Sequence, residues 1–346
     1  MTGGRGTPIL LVGSVPLADE AEVFATVGRI LGARVWAIPD GETGERTNWI
    51  NWQKAVMDRA PMLERLRHVD GYGAVQVDLY SERPDHRGDG RFPPLGYAAA
   101  AIASYRSFER LAGEGRVAPG TRFQVALPTP FAPMMSFIEP GSFERIEPLY
   151  VDAMRRELGD ILAAIPHDRL AIQWDTALEF AVLEGVFPAP VRDFPSLTGR
   201  LVELASWVPV EVRLGFHLCY GDADHKHFKD PDDSALMVEV MNRLIAQVGR
   251  RIDWFHLPVP IGRDDPGFFA PLARLDRSAG TMVHLGLVHA RDGVEGALRR
   301  VAAARHHVDG FGIATECGLG RRPPESIVPL LHLHAEIAAR MDGDAA

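Results

Sequence analysis

The sequence predicts an α/β fold, a (β/α)8 barrel of the TIM type, on three observations. Short runs of apolar and β-branched residues alternate with longer stretches whose apolar residues recur at i, i+3 and i+4. The runs number eight, the count that closes a parallel barrel. Polar side chains able to do chemistry gather at the carboxyl ends of those runs, where the βα-loops of such a barrel converge.

In order, the runs are "PILLVGS" (8–14), "RVWAIPDG" (34–41), "RFQVALPTP" (122–130) and "LAIQWD" (170–175). They continue with "VRLGFHLC" (212–219), "IDWFHLPVP" (252–260), "TMVHLGLVH" (281–289) and "GFGIATECG" (310–318). Each reads as a strand covered on both faces, because parallel strands under helices are near-continuously apolar. Amphipathic stretches such as "ADEAEVFATVGRILG", "SALMVEVMNRLIAQVG" and "VEGALRRVAAARHH" supply the crossovers. The gap between the second and third runs is too long for one crossover. Residues 49–120 are therefore expected as an insertion over one barrel face, within a single domain spanning 1–346. An open doubly wound sheet is the alternative, since one strand fewer removes closure.

Composition narrows the function. With 46% hydrophobic residues in 346, the chain can bury a large core. A net charge of -9 argues against a nucleic-acid partner, which needs an excess of Lys and Arg. No run of 18 apolar residues occurs, so no membrane span is expected. The first apolar run is too short for a signal-peptide core, and two cysteines cannot build a disulfide framework. A cytoplasmic protein with reduced thiols is expected.

Those two cysteines carry the strongest chemical signal. Side chains two apart on a strand face the same way, so His217 and Cys219 of "FHLCYGD" project together. Cys317 of "ECGLGRR", at the end of the last run, can approach them across the barrel mouth. Imidazole and thiolates form a zinc donor set, and a catalytic zinc keeps one position for substrate. The bland alternative is two small buried side chains. That both cysteines fall at the same expected face favours Zn2+.

At these residues the chain resembles a known family. "LVGSVP", "DGETGER", "IQWD", "FHLCYGD" and "ECGLGRR", in this order, look like the C-terminal half of cobalamin-independent methionine synthase. The superfamily also includes short single barrels such as epoxyalkane:coenzyme M transferases. The resemblance runs from about residue 8 to 340. It implies a zinc that holds a thiol as thiolate for attack on an electrophilic carbon. It makes His217, Cys219 and Cys317 metal ligands. The family's further Glu ligand would fall at Pro258, and His256, on the same strand face, is the candidate replacement; a packed pocket histidine is the alternative.

The resemblance also implies that Ser14, Glu42 and Asp175 bind the amino-acid part of the thiol substrate. Two carboxylates facing an ammonium make charge-assisted hydrogen bonds that fix orientation. A solvated turn acid competes at Glu42, and a helix N-cap at Asp175. His289, ending the seventh run, is a possible general acid, and Arg291 a possible anion-binding group. Trp49 and Trp52 could wall a pocket or pack in the core. His225 and His227 read as a solvated loop before a second metal site, and "LHLHAE" as part of a structural helix.

The sequence thus points to a zinc-dependent thiol alkyltransferase acting on a small-molecule thiol and an alkyl donor. Oligomeric state, thiol and donor stay open. Two rivals stand beside it: a metal-free enzyme like uroporphyrinogen decarboxylase, and a non-catalytic ligand-binding barrel with structural zinc.

Overall fold

The computed structural model describes residues 6–70, 76–87, 90–223, 226–278 and 280–343. Strand β1 (Ala37–Pro39) is followed by a hairpin, β2 (Leu63–Asp70) and β3 (Gln76–Glu82). Then come β4 (Arg122–Pro128), β5 (Leu170–Thr176), β6 (Arg213–Leu218), β7 (Trp254–Pro258), β8 (Met282–Gly286) and β9 (Gly312–Ile313). Seven of them form one curled parallel sheet, ordered β1-β4-β5-β6-β7-β8-β9, while β2 and β3 pair antiparallel apart from it. Every residue of β5 is buried, as a strand covered on both faces requires.

The expectation of eight strands needs correction. The first run, 8–14, is not a strand of this sheet. It touches both sheet edges through isolated bridges, Ile9 to Ile313 of β9 and Ser14 to Gly41 just past β1. The reason is visible in its carbonyls. Those of Leu11 and Val12 accept from the Gln124 side-chain amide at 3.0 Å each, and Val12 also accepts from Gln173 at 2.6 Å. Side-chain amides from β4 and β5 thus take acceptors that a regular ladder would use.

The helices begin and end where local chemistry dictates. Helix 20–31 starts at Asp19, whose carboxylate accepts from Glu22 N at 2.8 Å, and stops at Gly32 with φ 54°. Helix 194–206 starts likewise at Asp193. The C-terminal helix Ile327–Gly343 contains "LHLHAE"; its His334 is fully buried and bonds back to Leu330 O at 2.8 Å. Between β1 and β4, which pair directly, lie helix 54–59, the hairpin and helix 97–113.

Inside the sheet the packing is tight and partly polar. Trp254 lies against Gly215, where an added Cβ would come within 1.9 Å of the indole. Its Nε1 donates to Gln173 Oε1 at 3.3 Å. One level along, register puts His217, His256 and His284 side by side on β6, β7 and β8. No helix among the described residues is long and apolar enough to cross a membrane.

Candidate functional site

A cavity of about 380 Å³ opens at the carboxyl ends of the strands. Ser14, Glu42, Asp175, His217, Cys219 and Cys317 all line it. Two different kinds of wall meet there.

The first wall carries sulfur and imidazole. Cys219 follows β6 directly, its N–H donating to Thr176 O at 3.0 Å, which continues the ladder past the strand end. Its Sγ lies 3.7 Å from Cys317 Sγ, and Cys317 Sγ lies 3.6 Å from His217 Nε2. The three ligand atoms all fall within 4.8 Å of one another, so the group could hold a metal ion. The hydrogen bond from Cys317, helped by the His217 charge and the Gly221 N–H, holds the Cys219 thiol well below its usual range. Sharing that proton pushes Cys317 up. The loop carrying Cys317 reaches the wall because of its glycines. A Cβ on Gly320 would lie 2.7 Å from Thr47 O and 2.9 Å from Ser14 Cβ, and Leu319 N donates to Ser14 O at 2.7 Å.

The second wall carries carboxylates. Burial pushes Asp175 up to about 8 and Glu42 up to about 7, each also raised by a neighbouring acid. Ser14 Oγ donates to Glu42, and Gln173 donates to Asp175 at 2.9 Å. Glu42 has φ +49° and Trp49 φ +46°, left-handed conformations costly for residues with side chains. Asp40 holds this turn: it accepts from Glu42 N at 2.9 Å and Ser104 Oγ at 2.9 Å, and pairs with Arg46 at 2.8 Å. Trp49 lines the cavity, whereas Trp52 packs edge-on to Tyr97 at 4.8 Å. The two readings offered for the tryptophans each apply to one of them.

Three expected site residues lie elsewhere. His256 is fully buried behind His217 and does not line the cavity; its Nδ1 is 2.7 Å from His217 Nδ1 and its Nε2 2.9 Å from Thr315 O. With both ring nitrogens engaged, it is not brought into the three-residue group. His289 is buried beside Glu316, with Nε2 2.9 Å from Val259 O, and burial pushes it down to about 4. Arg291 is exposed and does not line the cavity.

Two residues were not anticipated. Glu316 stands between His289 at 3.4 Å and His227 at 3.5 Å, and burial pushes it up to about 8. His225 lies outside the described residues, and His227 also faces Asp230 at 2.9 Å. Arg300, fully buried, donates to Leu287 O and Ile261 O and pairs with Asp292 at 2.7 Å, tying together the loops after β7 and β8. Glu316 was legible as an acid beside Cys317 at a strand end. Arg300, one of several arginines on a helix, gave no such signal.

Fold and site together define an α/β protein with a curled parallel sheet and a His-Cys-Cys group on its cavity. The fold is shared across nearly the whole chain with two solved proteins. A B12-independent methionine synthase from Shewanella sp. W3-18-1, in complex with selenomethionine, matches at 15% identity and TM-score 0.63, covering 99% of each chain. A methyltransferase from Methanosarcina mazei matches at 10% identity and TM-score 0.55, covering 96% of this chain and 94% of that one. At these identities the likeness is one of fold. No family model and no curated protein matches the sequence.

Proposed function

We propose that the protein is a zinc-dependent thiol alkyltransferase, in the first instance a methyltransferase. His217, Cys219 and Cys317 hold the ion. The spacing of their donor atoms carries this reading. A tetrahedral zinc with bonds of about 2.3 Å to sulfur and about 2.0 Å to imidazole sets ligand spacings of about 3.8 Å between sulfurs and about 3.5 Å from sulfur to nitrogen. Two of the three pairs here stand at 3.7 Å and 3.6 Å, and all three donor atoms lie within 4.8 Å of one another. Bound there, zinc would lower the pKa of a thiol at its open position enough to keep it a thiolate at neutral pH.

The protein's own residues orient that thiol. Burial raises both Glu42 and Asp175, and Glu42 raises Asp175 further, so a cationic group between them favours both carboxylates. An ammonium-bearing thiol fits that wall, with Ser14 offering a further hydrogen bond. Trp49, Met135, Phe137 and Phe187 form an apolar wall against which an alkyl donor can pack and water is displaced. In this reading the first run serves as the eighth stave, and the insertion 49–120 contributes Trp49 and Leu79 to the cavity. Reduced thiols of this kind suit a cytoplasmic enzyme.

The test is metal content per chain after purification under reducing conditions, with transfer from radiolabelled methyl donors to a panel of aminothiols. About one zinc per chain with thiol methylation is expected. Folded protein that takes up no supplied zinc would sink the reading. Tight zinc with no transfer to any thiol would instead favour a ligand-binding barrel.

A further inference from the structure

We propose that His256 is a positioning residue that fixes the tautomer of His217, a role that rests on the metal-site reading above. The geometry is a relay of three groups. A carbonyl can only accept, so the 2.9 Å approach of His256 Nε2 to Thr315 O requires the proton on Nε2. The two Nδ1 atoms, 2.7 Å apart, need one proton between them. Placing it on His256 would make a fully buried imidazolium, and among the described residues no carboxylate bonds to that ring. The proton therefore belongs to His217 Nδ1, which donates to His256.

The consequence appears at the other side of the His217 ring. A ring that keeps its proton on Nδ1 presents a lone pair at Nε2 when neutral, and Nε2 is the atom 3.6 Å from Cys317 Sγ. Thr315, His256 and His217 thus hand a fixed orientation from backbone to metal ligand, as outer partners of ligating histidines do. Thr315 Oγ1 also donates to Cys317 O at 2.7 Å, so the residue that holds His256 anchors the loop of Cys317 as well. His284, next in the register row, takes no part; neither of its ring nitrogens has a hydrogen-bond partner among the described residues.

The direct test uses the unmodified protein without metal. Nitrogen NMR of ¹⁵N-histidine-labelled chain should show a scalar coupling between the two Nδ1 nuclei, with the proton on His217. A missing coupling, or a proton assigned to His256 Nδ1, would overturn the proposal. His256→Asn offers an acceptor oxygen near the Nδ1 position and should hold zinc within about three-fold of wild type, while His256→Leu should weaken it about 10- to 100-fold. Equal affinity in wild type and a folded His256→Leu would overturn it, as would X-ray absorption showing two imidazoles on the bound zinc. Protein that binds no zinc yet shows the coupling would sink the metal reading and leave the relay standing.

Discussion

The two walls of the cavity solve opposite electrostatic problems. On the sulfur wall, an imidazole and a thiol favour charge on Cys219, so a negative centre is stabilised by its own neighbours. On the carboxylate wall, burial drives Asp175 and Glu42 toward their neutral forms, with Glu42 adding to the push on Asp175 and Asp40 to that on Glu42. The first wall joins Cys219, still on the ladder of β5, to Cys317 on the loop beyond β9. The second joins Asp175, inside β5, to Glu42, on a segment with two left-handed residues. Each wall thus sets one side chain held by strand register against one carried by a loop or turn.

The largest expected effect breaks the sulfur wall. Cys219→Ser and Cys317→Ser should each weaken zinc binding by more than about 100-fold, read by competition with a chromophoric chelator. If one variant binds as tightly as wild type, that cysteine is not in the site.

The carboxylate wall gives the next effect, on stability. Asp175 titrates near 8 in the fold and near 4 unfolded, so the native state holds an extra proton between those values. Its contribution is therefore present at low pH and lost as pH rises toward 8. Asp175→Asn should be more stable than the metal-free wild type at pH 9 by about 2–5 kcal/mol, the difference shrinking by pH 5. Urea melts at both values check this; a difference that grows toward pH 5 contradicts the buried-carboxylate account.

The same groups set substrate binding. KM for an aminothiol should fall as pH rises from 6 to 8, because both carboxylates gain charge in that window. Glu42→Gln should flatten the profile and raise KM about tenfold at pH 8 while leaving zinc affinity nearly unchanged. A flat wild-type profile would show that no ammonium meets this wall.

Smaller effects separate the two tryptophans. Trp52→Ala should cost about 3 kcal/mol in a chemical melt, since it removes a ring packed on Tyr97. Trp49→Ala should cost under about 1 kcal/mol and act on KM for the alkyl donor. The reverse ranking would move Trp49 into the core. Arg291→Ala, on an exposed side chain, should change KM by less than about twofold.

Much of this was legible beforehand, for reasons particular residues show. His217 and Cys219 share a face because strand side chains alternate with period two, and Cys317 could be placed because the carboxyl ends of parallel strands lie at one end of the sheet. The same rule misplaced His256. Period two gives the face of a strand but not the depth along it, and His256 sits level with His217 rather than beyond it. His289 and Arg291 follow β8 by three and five residues, where the chain has left the strand and alternation no longer applies.

The sequence by itself determined the alternation of strands and helices, and that His217, Cys219 and Cys317 meet at the carboxyl end of the sheet. Those follow from periodicity and residue chemistry, which are local. Tertiary structure alone decided that the first run would give its carbonyls to Gln124 and Gln173, that Trp49 and Trp52 would part company, and that His256 would stand behind His217. Each depends on which groups from distant segments compete for one acceptor, one void or one proton, and that competition exists only once the chain has closed on itself.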